Sequence, residues 1–180
     1  IELDSTGRIT IEAFQKVLGR DATPEEVKTI YAEKSAYYHQ LLQTTTPTIP
    51  DIVDVLQFVK QQGHQIWVVT GSGMRTLLDS LNEVFPSIFQ QDKMITAFDV
   101  MHGKPDPEPY LKAWGRSGLA KEQCVVIENA PLGIQSGKAA GLTVYAVNTG
   151  ILTKEDLSQA DKVFDNMAEL LAYLQASSKQ

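Results

Sequence analysis

Three short runs in the sequence carry side chains able to handle a phosphate group. Thr70-Gly71-Ser72-Gly73 supplies hydroxyls and glycine amides, both of which donate hydrogen bonds to an anion. Lys104, set between Gly103 and Pro105, supplies a positive charge on a restricted backbone. Glu128-Asn129 supplies two neighbouring oxygen donors suited to a hard cation such as magnesium. The first two runs are ambiguous alone: Thr-Gly-Ser-Gly also makes an ordinary tight turn, and a lone lysine is usually a solvated charge. Glu128-Asn129 is harder to explain as scaffold, because the apolar stretch Cys124-Val125-Val126-Ile127 runs straight into it and Pro131 follows. The other reactive side chains offer no rival constellation. Ser72 is no nucleophile elbow, since Thr70 and Met74 stand where that motif needs glycines. His39, His64 and His102 are scattered over a helix, a helix exit and a loop, and form neither a triad nor a metal-binding pair. Cys124 reads as a buried, inert thiol, and as the single cysteine it excludes a disulfide framework and a Cys-rich zinc site.

The elements that must position these runs follow from periodicity. Up to about residue 45 the pattern is helical. Ile9, Phe14, Val17 and Leu18 recur at helical spacing before Gly19. Thr23-Pro24-Glu25-Glu26 starts a second helix, with Thr23 as cap, Pro24 at the first helical position and Glu26 closing a capping box. Val27, Ile30, Tyr31, Tyr38 and Leu41 form its apolar stripe, and the run Thr44 to Pro50 reads as a linker. Helices are then expected at 51–62, 74–85, 108–114, 133–140, 154–159 and 167–175. Strands are expected at 65–70, 94–98, 124–128, 143–148 and 162–164. Trp67 and Trp114 fall on a strand and a helix face and read as core. Near-continuously apolar strands separated by helices imply a parallel sheet covered on both faces. In such sheets ligands bind at the carboxyl ends of the strands, where all three runs would sit.

Composition narrows the class. The 180 residues, 43% hydrophobic and 21% charged, form one sizeable folded unit and exclude global disorder. A net charge of −6 argues against binding nucleic acid through bulk charge. With no long apolar run and no signal-peptide pattern, the expectation is a cytoplasmic protein without membrane contact, and a monomer.

Taken in order, each after a strand, the runs resemble the motifs of the haloacid dehalogenase superfamily. Thr70 lies within VVTGSG, Lys104 within GKPDPEPYL, and Glu128-Asn129 within VVIENAPLGIQSGKAAG. The resemblance covers essentially the whole chain and extends to the β-phosphoglucomutase-like branch. Within that branch TGSG, TAFDV, GKPDPEPYL and VIENAPLG are most similar to bacterial members with inorganic pyrophosphatase activity. It implies a Rossmann-like three-layer α/β/α core over 46–180 and the latter part of a helical cap over 1–45. It also implies Thr70 and Lys104 as catalytic residues, with Thr70, Gly71, Ser72 and Lys104 binding phosphate and Glu128 and Asn129 binding Mg2+. Many relatives carry Asp at the Asn129 position; the neutral amide brings no charge, which should weaken metal affinity, and the pyrophosphatase-like group shares the Glu-Asn pair.

The family's first motif, Asp-x-Asp at the end of the first core strand, is not found. Its first Asp is the nucleophile that forms an aspartyl-phosphate and its second is the general acid/base. Asp4 has neither a preceding apolar strand nor a second acid two residues on. The resemblance places the missing strand mid-sheet, so a slot with unpaired backbone is expected there, and the 180 residues are expected to be a truncated version of an enzyme, inactive alone. The cap residues also depart from the family: relatives carry Glu-Gly-Arg-Thr-Gly, where this chain has Ile1 to Gly7 with Glu2 and Asp4. The expected activity is magnesium-dependent hydrolysis of pyrophosphate or a small phosphomonoester. The alternatives are a sugar phosphomutase, or a non-catalytic binding module. Lys104 is expected in a solvent-reachable cleft, where its removal would change stability little.

Overall fold

Local signals in the chain account for most element boundaries. Thr23 and Glu26 make the reciprocal capping box: Glu26 N donates to Thr23 Oγ1 at 3.2 Å and Thr23 N donates to Glu26 Oε2 at 2.8 Å. Asn166 caps the last helix by accepting from Glu169 N at 2.9 Å. Gly63 adopts φ +77 one residue beyond the helix exit, a conformation that costs other residues a steric penalty.

The computed structural model describes residues 15–41, 48–72 and 77–178. In chain order the elements are α1 (Pro24–Leu41), α2 (Ile52–Gln61), β1 (Val68–Val69), α3 (Leu77–Val84), β2 (Met94–Ile95), α4 (Glu108–Ser117), β3 (Val125–Glu128), α5 (Pro131–Ala139), β4 (Thr143–Val147), β5 (Lys162–Phe164) and α6 (Met167–Ser177). A helical turn over 15–18 precedes them, and Gly19 (φ +68) follows it. Glu2, Asp4, Ile9, Phe14, the run 44–47, Gly73 and Met74 lie outside the described residues, as do the side chains of Val27, Tyr31, Tyr38 and Leu41.

All strand pairing is parallel, in two sets. β1 pairs with β2 through Val68 opposite Met94 and Val69 opposite Ile95. The other set runs β3-β4-β5, with Val125 opposite Thr143 and Tyr145 opposite Lys162. Among the described residues no ladder joins β1 to β3.

The side-chain alternation of β4 builds a core on each face. Val144 and Ala146 join Tyr110, Val126, Ile134 and Leu157 beneath α4 and α5. Val147 joins Val55, Phe164, Met167 and Leu170 against α2 and α6, with Tyr145 packed on that cluster. Ile134, Val144, Val147, Leu157 and Leu170 have no exposed surface, and each such side chain contributes about 1.5–3 kcal/mol by leaving water. On β3 only one face is covered: Val126 is buried, while Val125 and Ile127 are 46% and 39% exposed.

Several expected elements differ in extent. The run 65–70 is strand only over Val68–Val69, with the Thr70 amide adding one further bond to Ile95 O, and β1 has a paired neighbour on one edge alone among the described residues. Trp67 precedes the paired segment, half-buried, and donates to Gln65 Oε1 at 3.0 Å. Trp114 packs against the core as expected. The helix expected at 154–159 is a series of turns instead. Leu157, Ser158 and Ala160 each donate to the carbonyl three residues back, at 3.2, 3.2 and 3.1 Å. The Ser158 hydroxyl takes the Glu155 carbonyl at 2.6 Å, competing with the helical ladder. Cys124 is half-buried, not buried, with its thiol 3.4 Å from the Ala120 carbonyl. Among the described residues no helix is long and apolar enough to cross a membrane.

Two glycines let α5 approach the sheet. A Cβ at Gly137 would lie 2.7 Å from Val144 Cγ2. Gly137→Ala gains up to about 1 kcal/mol of helix propensity, but overpacking costs typically about 1–3 kcal/mol. Val144 is fully buried and stiff, so a net loss of stability is expected, read as a lower urea midpoint with an unchanged slope.

Candidate active site

The three runs reach one end of the sheet by different local routes. Thr70 directly follows β1, and its amide continues the ladder by donating to Ile95 O at 2.9 Å. Its hydroxyl accepts from Ser72 N at 3.1 Å, which bends the chain through Gly71 and leaves the O–H as a donor. Thr70, Gly71 and Ser72 are all half-buried. Ser72 O accepts from Ala97 N at 3.1 Å, tying this turn to the chain after β2.

The loop carrying Lys104 is pinned from several sides. The Lys104–Pro105 peptide is cis. Asp106 N donates to Gly103 O at 3.0 Å, and Asp106 O accepts from the fully buried Ser136 hydroxyl of α5 at 2.6 Å. Asp106 Oδ1 accepts from Glu108 N at 2.9 Å, at the start of α4. Glu108 in turn accepts from the amides of Met101 at 3.1 Å and His102 at 2.8 Å and pairs with Lys112 at 2.9 Å. His102, Asp106 and Glu108 bring ligand-type atoms within 4.8 Å of one another, but these bonds already account for the arrangement as loop fixation.

Glu128 is the last residue of β3 and 9% exposed. Its Oε1 accepts from Lys104 Nζ in a close ion pair and from the Tyr110 hydroxyl at 2.6 Å, and its Oε2 accepts from Asn129 N at 3.1 Å. Lys104 Nζ also donates to Val69 O at 3.1 Å, so this side chain spans from β1 to β3. The Lys104 and Glu128 side chains are only 17% and 8% exposed. Lys104 is half-buried, with its ammonium held between two strand ends. Asn129 is exposed.

Two residues of this cluster were not singled out from sequence. Tyr110 is 6% exposed and places its ring under Lys104 Nζ, 4.9 Å from the centroid. Burial, then the Glu128 charge, push its hydroxyl well above the ordinary tyrosine range, so it stays a donor. Gly133 of α5 faces Glu128, where an added Cβ would lie 2.1 Å from the carboxylate carbon. The available signal was spacing: Tyr110 lies six residues after Lys104 and Gly133 five after Glu128, both in the first turn of a helix that follows a site run.

Chemically the cluster joins a cation, a hydroxyl donor and a hydrogen-bonded carboxylate at the carboxyl ends of parallel strands. The Glu128 carboxylate and the Asn129 amide oxygen are hard donors that fit a hard divalent cation. A carboxylate has roughly four lone-pair sites; among the described residues Lys104, Tyr110 and Asn129 N occupy three of them.

A profile of the haloacid dehalogenase-like hydrolase family matches residues 5–147, and the chain belongs to that family. It is 34% identical over 154 residues to glycerol-1-phosphate phosphohydrolase 2 of Saccharomyces cerevisiae, covering 81% of this chain and 59% of that protein. It is 28% identical over 170 residues to pyrophosphatase PpaX of Bacillus cereus, covering 91% and 74% of the two chains. A solved structure from Bacteroides vulgatus, given as a candidate β-phosphoglucomutase, superposes with a TM-score of 0.83 at 42% identity, covering 98% of this chain and 73% of that one. The chain thus spans only part of these relatives.

Two outcomes test the geometry. Lys104→Ala strands a buried carboxylate and should destabilise the fold by about 3 kcal/mol in chemical denaturation; adding Glu128→Gln should recover most of that loss. The Glu108 carboxyl is lowered from its ordinary 4.5 to about 2, chiefly by Lys112 and then by the Met101 and His102 amides. A depressed acid stabilises the fold above its unfolded value, and that contribution is lost as pH falls from 4.5 towards 2. Glu108→Gln should therefore flatten the fall in melting temperature across that window.

Proposed function

We propose that the protein is a magnesium-dependent phosphohydrolase acting on pyrophosphate or a small phosphomonoester through an aspartyl-phosphate, with the nucleophilic aspartate supplied from outside residues 1–180. The observation that carries this reading is the convergence of the Lys104 ammonium with the chain end of β1 before Thr70 and with Glu128 after β3. Thr70, through its hydroxyl, and the Gly71 and Ser72 loop bind the anionic oxygens of the transferring group. Lys104 neutralises charge that builds on those oxygens as the bond to the leaving group lengthens. Glu128 and Asn129 would hold Mg2+, which supplies further charge neutralisation when bound. Residues 1–45 serve as part of a cap over a core of 46–180. The protein works as a cytoplasmic monomer without nucleic-acid or membrane partners.

The name of the Bacteroides vulgatus structure favours a second reading, a sugar phosphomutase. A mutase returns the phosphoryl group to another hydroxyl of its sugar, whereas a hydrolase gives it to water. Release of inorganic phosphate from pyrophosphate or phosphomonoesters, dependent on magnesium, separates the two. Inactivity of a protein that contains the nucleophile strand would favour the binding-module reading.

In that complete protein Lys104→Ala should lower kcat by about 10²–10³-fold, the scale of losing one preorganised charge-stabilising group. Unchanged turnover would remove Lys104 from the site. Asn129→Asp should tighten magnesium binding by adding a charged oxygen, shifting the titration midpoint to lower concentration. Residues 1–180 alone should show no turnover with either substrate class.

A further inference from the structure

We infer that Tyr110 is a positioning residue that holds both charged groups of the site at once, its hydroxyl orienting the Glu128 carboxylate for the cation and its ring seating the Lys104 ammonium. The inference rests on the magnesium phosphohydrolase reading above.

The geometry distinguishes Tyr110 from an ordinary core tyrosine. Its hydroxyl reaches the same oxygen, Oε1, that pairs with Lys104, at 2.6 Å. Its ring lies under the same ammonium, 4.9 Å from Nζ. One side chain therefore contacts the cation and the anion through two different chemistries, a hydrogen bond and the π face. On the far side, α5 closes against Glu128 at Gly133, where there is no room for a Cβ. Glu128 is thus bounded by Gly133 and held by Tyr110.

Lys104 and Tyr110 differ in how permanently they hold the carboxylate. Lys104 is assigned to the phosphoryl group during turnover, and a lysine that turns to an anion relaxes its hold on Glu128. Tyr110 is 6% exposed and packed in the core around Val126 and Ile134, so water does not readily replace its hydroxyl. It is the side-chain donor that stays on Oε1 in either case, beside the Asn129 amide on Oε2. Groups that orient a metal-ligating carboxylate typically change metal affinity by about 10–100-fold when removed.

The two contacts can be separated by mutation. Tyr110→Phe keeps the ring under Lys104 and deletes the hydroxyl; Tyr110→Leu deletes both. In the full-length protein, Mg2+ binding by calorimetry should weaken about tenfold or more in Tyr110→Phe. Binding of inorganic phosphate in metal-free buffer should stay unchanged in Tyr110→Phe and weaken in Tyr110→Leu. A merely structural tyrosine would lower the melting temperature without moving the Mg2+ midpoint measured well below it. Glu128→Gln supplies the control, because Tyr110→Phe should add nothing to its Mg2+ defect if the hydroxyl acts through that carboxylate. An unchanged Mg2+ midpoint in Tyr110→Phe beside a weakened one in Glu128→Gln overturns the Tyr110 role alone. If Glu128→Gln also leaves Mg2+ binding unchanged, the metal assignment falls and the inference falls with it. Phosphate binding equal in Tyr110→Leu and the unmodified protein overturns the seating of Lys104.

Discussion

The partly buried ion pair between Lys104 and Glu128 is the interaction on which the rest of this structure depends. It joins the end of β3 to the loop before α4, and through Val69 O it reaches β1 as well. Both side chains are largely removed from water, and desolvating two charges costs several kcal/mol per ion before their attraction returns any of it. An apolar pair of the same volume would often serve stability as well or better. The pair therefore calls for an explanation beyond folding, and an anion-binding lysine beside a cation-binding glutamate provides one.

The surrounding fold is arranged to keep that pair in place. α5 contributes Ser136, which holds the Lys104 loop at Asp106 O, and Gly133, which makes room for the Glu128 carboxylate. α4 contributes Tyr110 to Glu128 and Glu108 to the amides of the loop. The same two helices bury their apolar residues against β3 and β4. Packing and site geometry are consequently coupled: a shift of α5 relative to β4 moves the carboxylate and the lysine loop together.

The two-part sheet gives this coupling its functional meaning. Among the described residues β1 and β3 have no ladder between them, and the lysine side chain links the two. Val125 and Ile127 on β3 keep an exposed face, and β1 is paired on one edge among the described residues.

Patterns of short range were legible in the sequence, because neighbouring residues generate them. The Thr23–Glu26 box, the parallel strands and the positions of the three runs at strand ends could be located from residue order. The turns at 154–159 were not legible, since helical and i→i+3 patterns share the same apolar spacing. Nor could sequence tell that the Lys104 ammonium is held between two strand ends. That depends on Val69, Glu128 and Tyr110 arriving from three separate elements, the first and second of them 35 and 24 residues away. Residue types determined which chemistry was available: a hydroxyl, an ammonium and a carboxylate at strand ends. Only the tertiary structure decided that the ammonium rests on a tyrosine ring and shares its carboxylate with that tyrosine's hydroxyl, because such contacts follow from helix packing and not from order along the chain.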